Sequence, residues 1–204
     1  MAKLKGPLFS LGASGQIGKT LVYMNWKGLD TVREYVVPAN PQTSGQVTQR
    51  GFLTAAVAWI HAHQADASHP IDEEDIMAYA LLGSTFPTPR TWFNQAIKEI
   101  IDNRVLNADY RNGSYGDGHL TPGADQLTFE TWFYFTHAIS AATLWYGTSK
   151  TALVHSTALT VAANKLSKVV TGLTTGVKYY AQVRPTAPAN AVSIRSGIYY
   201  GVPA

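Results

Sequence analysis

The opening segment of this chain, residues 6–50, constrains the fold more than any other part. It is rich in glycine, threonine and glutamine, and its only acidic side chains are Asp30 and Glu34. Residues 20–26 and 31–37 are rich in β-branched and aromatic side chains, and Lys27, Gly28, Leu29 and Asp30 between them are typical of a turn. This pattern predicts a β-hairpin. Because the glycine-rich stretch in front of it has too few side chains to fill a core, we expect residues 1–44 to be an extended arm that finds its partners outside its own chain.

Five short motifs in this segment resemble the opening of a group of tailed-phage and prophage proteins that are described as virion structural proteins. They are Gly15-Gln-Ile-Gly-Lys-Thr-Leu-Val22, Trp26-Lys27-Gly28, Val32-Arg33, Pro38-Ala-Asn-Pro-Gln-Thr43 and Gln46-x-x-Gln49-Arg50. The likeness is most specific in the Trp-Lys-Gly and Ala-Asn-Pro-x-Thr motifs. It implies a virion protein, made in the host cytoplasm, whose partners are capsid, portal or neck subunits and further copies of itself. The residues that it implies for inter-subunit anchoring are Trp26, Lys27, Gly28, Arg33, Asn40, Pro41 and Arg50.

Composition excludes several classes of protein. The 204 residues include no cysteine, which rules out a disulfide framework, a thiolate metal site and a thiol nucleophile. Only 14% of the residues are charged and the net charge is +3, so the mild basic bias of the arm does not lead us to expect nucleic acid as a partner. No apolar run reaches the roughly 18 residues of a membrane span, and the N-terminus lacks the apolar region of a signal peptide. We therefore expect a soluble, unexported protein without membrane contact.

Helical periodicity begins directly after the arm. Apolar side chains recur at helical spacing over residues 45–63, and Thr43 and Ser44 are suitable N-caps. A second helix is predicted over residues 71–83, where acidic residues in the first turn complement the helix dipole. A third is predicted to start at residues 88–90, with Pro89 in its first turn, and to continue to about residue 101. Residues 45–106 are therefore predicted to form a small helical bundle.

Residues 107–126 hold four glycines and one proline and show no apolar period, so they are predicted to be an exposed linker that contains a domain boundary. Beyond them the sequence is typical of short strands. The predicted strands are residues 127–136, 142–147, 152–160, 165–170, 178–184 and 192–200. Strands at this spacing predict a β-sandwich over residues 127–204. The first of them has aromatic side chains on both faces, so its outer face should be covered by a neighbouring subunit or by the helical bundle.

Residues 173–184, with the sequence Leu-Thr-Thr-Gly-Val-Lys-Tyr-Tyr-Ala-Gln-Val-Arg, resemble the tyrosine-corner passage of fibronectin type III domains. The resemblance implies an immunoglobulin-like sandwich in which Leu173 and Val183 lie in the core. It also implies that the hydroxyl of Tyr179 forms a hydrogen bond with the backbone of the preceding loop.

Several motifs suggest chemistry, but each has a simpler interpretation. Residues 13–20 fit a relaxed phosphate-loop pattern, yet the residues after Thr20 predict a strand where a nucleotide-binding loop requires a helix. His61 and His63, at i and i+2, point apart on a helix and cannot share one metal; the simpler interpretation is a cationic helix end. Likewise, the acids of residues 72–75 are common at a helix start, with or without a cation.

The remaining candidates are weaker. Four polar residues of the predicted linker could surround calcium, but their spacing does not fit an EF-hand; they are Asp109, Asn112, Asp117 and Asp125. Aromatic side chains in the sandwich could stack on sugar rings, although such residues are more often core; they are Trp145, Tyr146, Tyr199 and Tyr200. The sequence contains no Gly-x-Ser-x-Gly elbow and no arrangement from which a catalytic triad can be argued.

Together these observations predict an α+β chain with an N-terminal extended arm and β-hairpin, a small helical bundle and a C-terminal immunoglobulin or fibronectin type III-like β-sandwich. We expect no enzyme activity, no cofactor and no metal. The expected function is that of a virion structural protein, either head-associated (capsid decoration or minor capsid) or in the head-to-tail neck. The alternative is a carbohydrate-binding or adhesion module, or a tail-associated protein, that uses the sandwich.

Overall fold

The computed structural model describes residues 14–26, 29–37, 39–40, 42–106, 112–188 and 194–204. The chain divides into two compact units, Met1–Thr43 and Ser44–Ala204. Within the described residues there are three helices and three antiparallel sheets, so the fold is mixed α+β and rich in strands. The boundary between the units lies one residue before the end predicted for the arm.

The first unit contains a three-stranded antiparallel sheet of β1 (Gly15–Ile17), β2 (Leu21–Trp26) and β3 (Leu29–Glu34), in that order. The predicted hairpin is confirmed, because β2 pairs with β3 from Leu21 opposite Glu34 to Trp26 opposite Leu29. The turn between β1 and β2 needs positive φ at Gly18 (50°) and Lys19 (58°). Thr20 closes this turn by donating its hydroxyl to the carbonyl of Ile17 at 2.9 Å.

The second unit begins with the helices α1 (Ser44–Gln64), α2 (Glu73–Gly83) and α3 (Trp92–Leu106). All three were predicted, but α3 starts at Trp92, so Pro89 precedes the helix instead of occupying its first turn. The helices share an apolar cluster formed by Ala56, Ile60, Ile71, Tyr79, Ala96, Ile97 and Ile100. This cluster buries the C-terminal part of the apolar face predicted for α1, whereas Val47 and Leu53 in the N-terminal part of that face are about half exposed.

Two four-stranded antiparallel sheets make up the rest of the second unit. One has the order β4 (Gly113–Gly123), β5 (Gln126–Phe135), β9 (Lys165–Thr171), β8 (Thr160–Ala162). The other has the order β11 (Tyr199–Gly201), β10 (Tyr179–Ala187), β6 (Ala141–Gly147), β7 (His155–Ala158). Side chains of both sheets meet in one apolar cluster that includes Phe129, Leu144, Leu166 and Val183.

Two predicted strands differ from the structure. Residues 152–160 were predicted as one strand, but they contain β7 and only the first residue of β8, and the two strands belong to different sheets. Residues 192–200 were predicted as a strand, yet β11 begins only at Tyr199, and residues 192 and 193 lie outside the described residues.

The predicted exposed linker is wrong for Gly113–Gly123, which forms strand β4 with its first four residues buried. The glycines are needed because neighbours contact this strand at its backbone. A Cβ at Gly113 would overlap the ring of Phe135, one at Gly118 would overlap Tyr199, and one at Gly116 would lie 2.7 Å from Nε2 of His63. The glycines that indicated a loop therefore mark close packing of β4 against α1, β5 and β11. For the same reason helices and sheets form one compact unit, and the domain boundary predicted inside residues 107–126 is not found there.

Strand β5 has both of its faces covered, as its aromatic content predicted. Phe129 and Phe133 point into the apolar cluster shared by the two sheets. On the other face, Tyr134 contacts Trp59 of α1 with ring centroids 4.8 Å apart, and His69 stacks on Trp132 at 4.2 Å. The sequence left open whether a neighbouring subunit or the helical bundle covers this face, and in the structure α1 does so.

Candidate functional site

The sheet of the first unit presents apolar side chains to solvent. Cross-strand register places Val22, Met24 and Trp26 on the same face as their partners Arg33, Thr31 and Leu29. Trp26 is 59% exposed and Leu29 is 69% exposed. A Trp and a Leu opposite each other in a non-core position are unusual, because large apolar side chains are normally removed from water. This face is the candidate interaction surface of the first unit.

The predicted anchoring residues are distributed over both units. Trp26 and Arg33 lie on adjacent strands of the sheet and share its exposed face. Asn40 is an exposed residue after β3, and Arg50 is exposed on α1 in the second unit. Lys27, Gly28 and Pro41 lie outside the described residues. Trp26 and Arg33 therefore share one face of the sheet but lie near opposite ends of the β2–β3 pair, since Trp26 is opposite Leu29 and Arg33 is opposite Val22.

The phosphate-loop-like residues do not have the geometry of a nucleotide site. Gly18, Lys19 and Thr20 form the turn between β1 and β2, and strand β2 follows directly at Leu21. A phosphate-binding loop needs a helix N-terminus at this point. The hydroxyl of Thr20 instead donates to the carbonyl of Ile17, which closes the turn between β1 and β2.

His63 lies in a buried hydrogen-bond network between α1 and β4. Its Nε2 donates to the carbonyl of His69 at 3.1 Å, so Nδ1 accepts from the hydroxyl of Ser114 at 2.7 Å. Trp59 Nε1 in turn donates to the same hydroxyl at 3.2 Å. Burial lowers the pKa of His63 from 6.5 to about 4. The prediction of a cationic helix end is therefore wrong for His63, which is neutral and connects the helix to the sheet.

This serine–histidine pair is not a reactive dyad. Ser114 is only 2% exposed and His63 only 1% exposed, so a substrate cannot reach the hydroxyl. His61 faces elsewhere and contacts the ring of Phe93 with a centroid separation of 5.6 Å. Sequence reasoning missed Ser114 because the residue lies in the segment that was predicted to be a linker.

His69 lines an open cleft of about 460 Å³ together with Trp132, Tyr134 and Lys165. Its Nδ1 lies 2.8 Å from Oδ2 of Asp117, a residue that adopts φ 50° at a bulge of β4. The ring of Trp132 already has two partners, since His69 stacks on it and Nζ of Lys165 lies 4.7 Å from its centroid. The contacts of His69 with Asp117 and Trp132 connect the segment between α1 and α2 to the sheet beside this cleft.

The acidic start of α2 is a capping box. Oδ1 of Asp72 accepts from the backbone N–H of Asp75, and Oδ2 of Asp75 accepts from that of Asp72. The side chain of Asp75 is buried and also accepts from the hydroxyl of Tyr199 at 2.6 Å and from Gly118 N–H at 3.3 Å. Burial raises the pKa of Asp75 to about 8, an effect that the hydrogen bond from Tyr199 opposes. The sequence predicted the helix start but not the contact with Tyr199.

The acidic and amide residues of the supposed linker do not converge on one point. Asn112 accepts from Nε of Arg104, Asp117 binds His69, and Asp125 accepts from the hydroxyl of Thr175. Asp109 lies outside the described residues. Within the described part of the chain, no group of three His, Asp or Glu side chains is arranged to hold a metal ion.

The passage that resembles a tyrosine corner has the hydrogen bond that the resemblance implied. The backbone N–H of Thr174 donates to the hydroxyl of Tyr179 at 3.1 Å. Leu173 is 8% exposed and Val183 is fully buried, both in the apolar cluster between the sheets. The bond fixes the start of β10 to the loop before it.

None of the three comparisons with known proteins gave a match: no family model, no curated protein and no solved structure is similar to this chain. Among the described helices, none is long and apolar enough to cross a membrane.

Proposed function

We propose that this protein is a non-enzymatic structural component of a tailed-phage virion, held in the particle by its first unit. The observation that carries the proposal is the exposed face of the three-stranded sheet, on which Trp26 and Leu29 lie opposite each other in contact with solvent. Burying the exposed part of the Trp26 side chain against a partner contributes about 3 kcal/mol to the free energy of association. Contacts of this size, repeated around a symmetric particle, offset the entropy that is lost when an arm becomes ordered.

The strand edges of the first unit offer a second mode of association. In the described part of this unit, β3 pairs with β2 and forms one edge of the sheet. A neighbouring subunit can add a strand at such an edge, with affinity from main-chain hydrogen bonds and selectivity from side chains such as Trp26 and Arg33. The partners under this proposal are capsid, portal or neck subunits and further copies of the same chain.

The second unit serves as the rigid body of the protein in this proposal. We infer that its two four-stranded sheets form a fibronectin type III-like sandwich, supported by the bond from Thr174 to Tyr179 and by the apolar cluster that the sheets share. A position on the head or in the neck is favoured over the tail tube, because a tube needs a closed β ring with little helix, whereas this unit has three helices. Fibres are disfavoured since the sequence shows no repeats or heptads.

The rival function, a carbohydrate-binding module, is less well supported by the four aromatic residues on which it depended. Tyr199 is 3% exposed and binds Asp75, while the rings of Trp145 and Tyr200 have the cations of Arg184 and Lys178 over them. These side chains do not form an open stacking platform of the kind that sugar rings need.

The test is incorporation into particles. Virions purified from a culture that carries the gene are analysed by mass spectrometry, and the chain is expected in fixed stoichiometry to the capsid protein. In a complementation assay, Leu29→Ser is expected to reduce incorporation, whereas Val154→Ser is the matched control because both side chains are 69% exposed. Particles that lack the chain although the lysate contains it, or equal losses for the two variants, would contradict the proposal.

A further inference from the structure

A cleft of about 250 Å³ lies in the second unit, where the end of α2, the turn after β6 and strand β10 meet. Three cationic side chains line it: Lys150 from the turn, Arg184 from β10 and Arg195 from the segment before β11. The hydroxyl-bearing side chains of Thr85 and Thr151 also line the cleft. This lining brings three positive charges to one place, while the Thr85 hydroxyl already donates to the carbonyl of Leu82 at 2.8 Å.

The positive charge of the cleft is only partly compensated. Arg195 forms an ion pair with Glu99, with Nε and Oε2 3.6 Å apart. Among the described residues, no acidic side chain pairs with Arg184 or Lys150. Their hydrogen bonds go to neutral acceptors: Arg184 Nε donates to Gln182 Oε1 at 3.2 Å, and Lys150 Nζ donates to Ser84 Oγ at 2.9 Å.

Two guanidinium groups in one half-buried cleft repel each other. Burial, and then the charge of Arg195, lower the pKa of Arg184 below its usual value. An anion in the cleft would remove this repulsion and accept hydrogen bonds from both guanidinium groups, whose planar donor sets match phosphate and carboxylate oxygens.

Arg184 is held in position before any ligand arrives. Its guanidinium lies over the ring of Trp145, 4.9 Å from the centroid. Its hydrogen-bond partner Gln182 is 2% exposed and is itself fixed, since its Nε2 donates to the carbonyl of Ser196 at 3.0 Å. These contacts use Nε and one face of the guanidinium, and they restrict the freedom that Arg184 would lose on binding a ligand through its Nη groups.

We propose that this cleft binds a phosphate group, either free or carried as a monoester. Because Arg184 and Lys150 have no acidic partner and Arg195 is shared with Glu99, the cleft favours a group with a charge of about −2 over a singly charged carboxylate. All the residues that line the cleft belong to the second unit, and the proposal does not depend on the proposed virion function.

The experiment is an NMR titration of the ¹⁵N-labelled full chain at pH 7 and constant ionic strength, with inorganic phosphate as the first probe and O-phosphoserine as the second. We expect saturable shifts of the side-chain Nε–Hε signals of Arg184 and Arg195. Binding of both probes indicates recognition of the group itself, and binding of inorganic phosphate alone indicates a free ion. Acetate that binds as tightly as phosphate, or the absence of saturation with either phosphate probe, would overturn the proposal.

Variants test which side chains carry the binding. Arg184→Gln and Lys150→Gln are each expected to weaken phosphate binding about tenfold, the effect of losing one charge-assisted hydrogen bond. Lys168→Gln, on β9 of the other sheet, removes the same charge and is expected to leave the affinity unchanged. Equal weakening by all three variants would show a nonspecific charge effect and overturn the assignment. If Arg184→Gln fails to fold, Lys150→Gln still decides, because Lys150 lies in a turn.

Discussion

Two buried titratable groups, Asp75 and His63, make opposite contributions to the pH dependence of folding. The pKa of Asp75 is raised from 3.8 to about 8, mainly by burial and also by the neighbouring carboxylate of Asp72. Its stabilising contribution is therefore fully present below pH 3.8 and is lost as the pH rises through 8. The pKa of His63 is lowered from 6.5 to about 4 by burial, so its contribution is present above pH 6.5 and is lost as the pH falls through 4.

The two contributions cancel over one pH window and not over the next. Each changes the free energy of unfolding by about 1.4 kcal/mol per pH unit while the folded and unfolded states differ by one proton. Between pH 4 and 6.5 the slopes are equal and opposite, so the summed contribution of these two groups is flat. Above pH 6.5 only Asp75 of these two groups contributes, and its contribution to the free energy of unfolding falls by about 2 kcal/mol between pH 6.5 and 8.

Asp75→Asn removes the titration while keeping a side chain of the same size. Relative to the wild type, the free energy of unfolding of the variant should rise by about 3 kcal/mol from pH 4 to 6.5 and by about 2 kcal/mol more from pH 6.5 to 8. Burial also raises the pKa of Glu99, but this group titrates in both proteins, so the difference between the two curves isolates Asp75. Glu73→Gln, exposed on the same helical turn, is the control and should keep the wild-type curve.

The assay is urea denaturation at half-unit pH intervals from 4 to 8. Tryptophan fluorescence reports on the second unit, because four of the five tryptophans lie there. Parallel curves for the wild type and Asp75→Asn between pH 6.5 and 8 would refute the reasoning, since they would mean that Asp75 is ionised in the folded protein throughout that range.

Three further predictions concern packing and the first unit. Gly116→Ala should destabilise the protein by about 1–3 kcal/mol through overpacking, whereas Gly45→Ala, with open space around it, should not destabilise it; thermal unfolding compares them. Tyr179→Phe should reduce the free energy of unfolding by about 1 kcal/mol by removing the acceptor of the Thr174 N–H, and an unchanged value in urea denaturation would contradict this role. Limited proteolysis of the free protein should cut within Met1–Thr43 first, and resistance of that unit would count against an arm that becomes ordered on assembly.

The elements that the sequence predicted well are those with a strong local period. The helical spacing of apolar residues located α1 to within one residue at each end, and the β-branched runs located the hairpin of β2 and β3. Strand β4 could not be predicted in this way, because its burial depends on what contacts it. Its glycines are required by Phe135, His63 and Tyr199, residues far from it in sequence or in another element. Glycine in a local sequence window indicates a turn or linker. Only the tertiary contacts distinguish such a glycine from one in a closely packed strand.

The buried polar residues were hidden from the sequence for a related reason. His63 at the end of a helix is typical of a dipole contact, and Asp75 in a first turn is typical of a cap. The cap is present, but the second role of each residue depends on a partner in a distant element, Ser114 for His63 and Tyr199 for Asp75. Motif spacing within one helix contains no information about such partners.

These polar contacts also explain why the helices and the sheets behave as one unit. The apolar cluster of the helices and that of the sheets are joined through β4 by three buried polar contacts: His63 to Ser114, Asp75 to Gly118, and the hydroxyl of Tyr79 to the N–H of Tyr115 at 3.3 Å. Separating the sheets from the helices would leave each of these groups without its partner. Each group that stayed buried would then destabilise the fold by about 1–3 kcal/mol. A fragment that starts at residue 127 also lacks β4, the neighbour of β5. Binding by the sheets must therefore be measured on the full chain, because a fragment of residues 127–204 would expose the helix-facing side of β5 and its β4 edge, which the intact protein covers.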